Sequence, residues 1–276
     1  MGGSAGPSAP PISSRRRRDG SPAMRRPIAR RRKVAAGAIG VVCTLAVWEL
    51  AAGTGLVDPA FASSPRQIAN RLIELASDGT LAPALLSTSR LFLTGFGIAL
   101  AIGLTMGVII GWFSYPRAIL NPWVSMLYAS PRIAFIPLIV VWAGAGFRAQ
   151  TVIIVINAVF PILVSTMAGV AAVDRQLLRV AQSFGASNWD VLRTVALPGA
   201  IPVLVAGIRM GMMTALLGTV VAEYFVGLTG VGGMIFNAGL ILDTSTAFVG
   251  AILFAIAAMI LSSGLEFLQA RVDKWR

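Results

Sequence analysis

Histidine is absent from this 276-residue chain. His-ligated zinc sites and Ser-His-Asp or Cys-His nucleophile systems therefore cannot be built from its own side chains. Cysteine is almost as scarce. Cys43 stands alone, so no intrachain disulfide can form. The two lysines, Lys33 and Lys274, complete no G-x-x-x-x-G-K-[ST] phosphate loop, and no ATP site is visible. Charge is thin, at 12% of residues against about 25% in a soluble domain. No paired-carboxylate motif such as D-x-x-D occurs. These absences leave little from which to build an enzyme or a water-facing surface.

What is present is apolar. The set AVILMFWYC makes up 56% of the chain, and the mean hydropathy is +0.79. Lipid must be the main solvent. The net charge of +12 is concentrated at one end: Met1–Lys33 holds ten of the 23 basic residues and one acid, Asp19. Single-stranded nucleic-acid binders interleave aromatics with basic residues, and this segment has no aromatic. Nucleic acid is thus not expected as a partner. Rich in Gly, Ser, Pro and Arg, residues 1–33 read as a disordered basic tail.

About 20 apolar residues cross a bilayer core. Six stretches meet that length: Val34–Gly55, Leu91–Phe113, Ala118–Ala143, Thr151–Ala172, Ala200–Val226 and Thr246–Leu265. The first is too long for the h-region of a signal peptide, about 7–15 residues, and reads as an uncleaved membrane helix. The third contains Pro122, Pro131, Arg132 and Pro137 and should be kinked or unwound. Such backbone is tolerated at membrane depth only beside protein or a water-filled cavity, which makes this span a candidate pathway lining. Seventeen basic residues, among them Arg117, Arg175, Arg179 and Arg193, fall on the side of the N-terminus; Arg66, Arg71, Arg90 and Arg148 fall on the other. The positive-inside rule then gives an all-α polytopic protein with both termini cytoplasmic. The divisions are a tail 1–33, a first helix with its external connector 34–84, a core 85–268, and a cytoplasmic end 269–276.

Two connectors carry structure. In Asp58–Arg90, Ser64 and Pro65 have the form of an N-cap and first helical residue, with Ile68, Leu72 and Leu75 at helical spacing, for a short helix on the membrane or capping the bundle. The longest cytoplasmic connector is Val173–Gly199. Leu177, Leu178, Ala181 and Phe184 predict an amphipathic helix; Gly185 stands where a left-handed C-cap belongs; Ser187-Asn188-Trp189-Asp190 has the S-x-x-D form of a capping box. A second helix would run from Asn188 to Leu197, before Pro198. An apolar face held outside the membrane must be covered, either by a soluble partner's groove or by the protein's own spans.

Arg179-Val180-Ala181, three residues, Gly185, nine residues and Val195-Ala196-Leu197-Pro198 resemble the EAA signature of ABC importer permeases, which is Glu-Ala-Ala, three residues, Gly, nine residues, Ile, any residue, Leu-Pro. Ala181, Gly185, Leu197 and Pro198 match. Arg179 stands in place of the Glu and Val180 in place of the middle Ala. Trp48-Glu49-Leu50, the run Ser130–Leu138, and Val221-Ala222-Glu223 followed by Gly230-Val231-Gly232 look like the nitrate/sulfonate/taurine branch. The resemblance implies a binding-protein-dependent importer. Two permease copies would form the pathway. The loop, with Arg179, Ala181, Gly185, Ala186, Ser187, Asp190, Leu197 and Pro198, would dock on a cytoplasmic ATPase that holds ATP and Mg. An extracytoplasmic binding protein would deliver a small anion such as a sulfonate, taurine or nitrate. No cofactor is expected in this chain.

Three charged residues fall within spans: Arg132, Arg209 and Glu223. Intramembrane charges face a bundle interior or a cavity, so each either lines the solute pathway or binds a neighbouring helix. Arg209 and Glu223 are 14 residues apart, within about 40° on one face but roughly 21 Å apart along the axis; they cannot pair. Gly227–Gly239 suggests a tight external turn, and Gly95, Gly97, Gly103, Gly107 and Gly111 a small-residue packing face. An intramembrane enzyme, or an ion-coupled carrier or channel without an ATPase, are the alternatives. The latter would need no docking loop. The topology is testable in a Cys43→Ser background. Asn188→Cys is expected to react only with reagent on the cytoplasmic side; labelling from outside would overturn the six-span arrangement.

Overall fold

The computed structural model describes residues 2, 27–54, 63–173 and 175–273. Among these there is helix and no strand. The helices are α1 Pro27–Gly53, α2 Pro65–Ser77, α3 Leu81–Trp112, α4 Ser114–Ala129, α5 Ile136–Ala143, α6 Phe147–Ala171, α7 Arg175–Ser183, α8 Asn188–Val191, α9 Leu197–Ala222, α10 Gly230–Leu240 and α11 Thr244–Asp273. Of the basic tail expected to be disordered over residues 1–33, Pro27–Lys33 instead open α1, and the rest apart from Gly2 lies outside the described residues. The chain divides into two units, Met1–Val47 and Trp48–Arg276, with the boundary inside α1. In the first, Ile39, Val41 and Cys43 are exposed. All that follows concerns the second.

Helix α6 lies at its centre, packed along α3 on one side and α9 on the other. Glycine makes this possible. A Cβ on Gly95 would overlap Ile154; on Gly103, Ile162; on Gly107, Thr166 and the Leu163 carbonyl. From the other side, Gly207 admits Ser165 and Gly211 admits Ile162. Backbones approach at the missing side chains, which is how apolar helices gain attraction where lipid is as apolar as leucine. Gly97 does not share this face; nothing lies within 4 Å of its Cβ position. The residue pairing along these contacts makes α3 and α6 parallel and α9 antiparallel to both.

That geometry fixes the bent connection between α3 and α6. Arg117 turns the chain sharply at Phe113 by donating to the Ile110 carbonyl (3.1 Å) and the Gly111 carbonyl at the end of α3. Helix α4 then runs to Ala129, breaks at Ser130-Pro131 into a 3₁₀ turn over Arg132–Phe135, and continues as α5; the two arms differ by 92°. Because α3 and α6 run parallel, this pair must carry the chain across the full thickness. It is the broken span that the prolines predict.

Four helices are long and apolar enough to cross a membrane, Leu81–Trp112, Phe147–Ala171, Asn188–Gly227 and Thr244–Phe267, and the bent pair makes a fifth. Residues 34–53 of the sixth expected span, Val34–Gly55, lie in α1, whose apolar stretch among the described residues is Ile39–Gly53. Helix α3 begins at Leu81, well before the expected Leu91, because Pro83 is tolerated in a first turn. The expected tight turn in Gly227–Gly239 is instead helix α10, held against α3, α9 and α11.

Helix α2 forms as its capping residues predict. Ser64 Oγ accepts from the Gln67 amide, and Gln67 Oε1 accepts from the Ser64 amide. Glu49 on α1 accepts a third amide, that of Arg66, at 3.0 Å. Ile68, Leu72 and Leu75 pack on Trp48, Phe248 and Val249, so α2 caps the bundle. The glycine face yields a contrast. Gly107→Val should cost about 1–3 kcal/mol by overpacking and lower the thermal midpoint in detergent. Gly97→Ala should leave it unchanged or raise it slightly. Equal midpoints would contradict the close α3–α6 packing.

Candidate functional site

The connector Val173–Gly199 is placed at the end of the bundle where α3 and α6 terminate. Its helix α7 ends as its glycine predicts. Gly185 has φ +81°, the Phe184 amide bonds the Val180 and Ala181 carbonyls, and the Ala186 amide bonds the Ala181 carbonyl at 3.2 Å. This is a Schellman closure. No atom lies within 4 Å of a Cβ built on Gly185, so glycine is needed there for conformation and not for space.

Two residues on, the capping box forms in full. Ser187 Oγ accepts from the Asp190 amide at 3.2 Å, while Asp190 Oδ2 accepts from the Ser187 amide (3.2 Å) and hydroxyl (2.5 Å). These bonds from the Ser187 side chain and backbone, with Arg193 nearby, hold the Asp190 carboxyl below the ordinary carboxylate range. Aspartate therefore serves in the place of the usual glutamate.

Beyond the cap the structure departs from expectation. The second helix does not stop before Pro198. Residues 188–227 form one continuous helical run, with a π turn at Leu192–Ala196. The Leu197 amide bonds the Leu192 carbonyl, five residues back. A proline at 198 has no amide to give and its ring would crowd the carbonyl four residues earlier; the wider π turn accommodates both defects. Val191, Leu192, Ala196 and Ala200 are buried, the last three in a cluster with Val170, and Trp112 and Leu197 pack alongside. The far side of the loop is bare. Leu177, Val180, Phe184 and Trp189 are exposed, Phe184 by 87%, and Arg179 is exposed beside them. Arg193 lies over the Trp189 ring. Leu178 and Ala181 are half-buried toward the bundle, where a cavity of about 330 Å³ reaches Trp112, Arg117 and Asn188.

The three charged residues within spans are not brought together; each bonds its own neighbours. Arg132, half-buried at the break in the bent pair, donates to the Asn157 and Tyr128 carbonyls, both at 3.1 Å. Its guanidinium lies 5.3 Å from the Tyr128 ring and 5.8 Å from that of Phe160. No carboxylate pairs with it among the described residues. Arg209 ties α9 to α11, donating to Glu266 (2.6 Å) and Ser262 (2.9 Å). Glu223 is fully buried, accepting from the Thr88 hydroxyl and the Gly232 amide, both at 2.7 Å.

Sequence reasoning missed the partners. Thr88 sits in what reads as an external connector, and Glu266 lies one residue past the expected end of the last span. Asn157 acts through its backbone, which leaves no compositional signal. Groups of His, Cys, Asp or Glu able to hold a metal are absent among the described residues.

Comparison with known proteins agrees with this architecture. Residues 99–276 match the family described as binding-protein-dependent transport system inner membrane component. The taurine transport system permease protein TauC of Escherichia coli (strain K12) is 32% identical over 254 residues, 90% of this chain and 92% of that protein. The putative aliphatic sulfonates transport permease protein SsuC of Bacillus subtilis (strain 168) is 31% identical, covering 84% of each chain. Among solved structures, an inward-facing MetNI methionine ABC transporter superposes with a TM-score of 0.59 at 20% identity, over 67% of this chain and 92% of that one.

Proposed function

Because the chain belongs to the family of binding-protein-dependent inner-membrane components of ABC transporters, we propose that it couples a transmembrane solute pathway to an ATPase through the α7–α8 loop. The exposed apolar crest Leu177, Val180, Phe184 and Trp189 carries this reading. An apolar surface on a connector outside the bilayer lacks lipid to cover it, and a groove on a soluble subunit supplies the cover. ATP and Mg would reside on that subunit. Closure of two ATPase subunits would push the crest, and the helical run 188–227 would carry the push into the bundle. With the loop on the cytoplasmic side, α11 returns the C-terminus to that side, and a membrane-crossing α1 would bring the N-terminus there too.

A second permease copy completes the pathway in this reading. An extracytoplasmic binding protein delivers the solute. The solute class is a small anion of the sulfonate kind. Two observations support it: the taurine and sulfonate permeases are similar over most of the chain, and Arg132 places a guanidinium, held by carbonyls and rings only, at the break of a span. A guanidinium fork suits an oxyanion.

Gly185 gives the test. A β-branched residue at φ +81° is strained by about 1–3 kcal/mol and would redirect the crest. Gly185→Val should reach the membrane normally yet lose co-purification with the ATPase, or solute-stimulated ATP turnover in reconstituted vesicles. Gly185→Asn should be milder, as Asn tolerates left-handed backbone. Normal association and normal stimulated turnover in Gly185→Val would remove the docking role.

A further inference from the structure

The Glu223 cluster is not used by the coupling loop, and lies at the opposite end of the bundle. Helix α10 begins there with two amides pointing at other elements. The Val231 amide donates to Thr88 Oγ1 at 2.9 Å, and the Gly232 amide to Glu223 Oε2 at 2.7 Å. Thr88 in turn donates its hydroxyl to Glu223 Oε1. The N-cap residue of α10, Thr229, makes no side-chain cap bond. Two of the orphan donors of this first turn are therefore satisfied from α3 and from the π turn Glu223–Gly227 that follows α9. Close fit is built in by glycine. A Cβ on Gly230, itself at φ +70°, would overlap the Glu223 carboxylate and Thr88; one on Gly232 would lie 2.8 Å from Glu223 Cβ.

Glu223 has no cationic partner among the described residues, and its burial is complete. An unpaired carboxylate in that setting is costly to keep. Its two donors belong to different elements, α3 and α10, so it holds them together at the end remote from the loop. Val231, Gly232 and Gly233 in the first turn of α10 are buried, and so is Ala238 further along, while Leu240 and the following Ile241 and Leu242 are exposed.

We propose that Thr88 and Glu223 form a latch that pins α10 to α3 on the outer side of the membrane, and that opening the pathway to the outside releases it. The proposal rests on the permease reading, in which this end is external. Thr88 and Glu223 are positioning residues here: they set α10 and touch no solute.

The latch can be read without transport. In a Cys43→Ser background, Val231→Cys reports the pinned turn and Ala238→Cys the rest of α10; both native side chains are buried. Labelling by a membrane-impermeant maleimide is measured in right-side-out and inside-out vesicles. In right-side-out vesicles, Thr88→Val, which removes the hydroxyl and keeps the shape, should raise the labelling rate at both positions by about tenfold, the order expected for losing a buried hydrogen-bond pair. Glu223→Gln, which keeps an acceptor for Gly232, should raise it less than Glu223→Ala. With the ATPase bound and trapped by ATP and vanadate, the Thr88-intact chain should also label faster. Unchanged labelling in Thr88→Val overturns the latch, and so does faster labelling in Thr88→Val with no response to nucleotide trapping. Labelling confined to inside-out vesicles would overturn the orientation instead, and a chain with no ATP-driven uptake would fail the permease reading while leaving the Thr88→Val comparison interpretable.

Discussion

Close backbone approach at α6 is the constraint on which the rest of this bundle depends. Between apolar helices in lipid there is no hydrophobic driving force, and attraction must come from contact. Glycines at 95, 103, 107 and 111 on α3, and at 207 and 211 on α9, let α6 seat on both sides. Once α3 and α6 are parallel and touching, the stretch between them must cross in a single bent passage. The prolines and Arg132 are therefore the means by which a span is broken at a fixed depth. Arg132 stands at that break, clamped to the Asn157 and Tyr128 carbonyls.

The two ends of α9 are treated differently. At one end the helix runs without a stop into the loop, and the π turn at Leu192–Ala196 absorbs Pro198. At the other end a second π turn, Glu223–Gly227, buries the carboxylate beneath α10. One helix thus joins the exposed crest to the polar cluster about Glu223. Its middle is held by α6 through close glycine contacts and by α11 through the Arg209–Glu266 pair. A displacement of the loop has a stiff path to follow through the membrane.

How legible this was in the sequence depends on the range of the forces. Local signals held: the Ser64 and Ser187 caps, the left-handed Gly185 and the break at Pro131 are set by residues within a turn of each other. The glycine ladder on α3 was readable because its period matches one helix face, although Gly97 falls off that face. Signals acting across the fold were hidden. Gly230-Val231-Gly232-Gly233 reads as a turn because glycine alone gives no hint that Glu223 and Thr88 supply the missing caps. Pro198 reads as a stop because nothing nearby announces a π turn. Arg209 and Glu223 were correctly separated by helix geometry, but their partners Glu266 and Thr88 lie 57 and 135 positions away in sequence.

The central claim is that residues 188–227 move as one body between loop and opposite end. Spin labels at Asn188→Cys and Phe225→Cys in the Cys43→Ser chain, assembled with its ATPase in vesicles, measure this by pulsed dipolar spectroscopy. An unbroken helix of that length separates the labels by roughly 55 Å. The account predicts a narrow component at that distance within each copy, the same without nucleotide and with ATP and vanadate, while ATP-driven uptake is retained. A distance that shortens by several ångströms or splits into two on trapping would place a hinge at the π turn and contradict it.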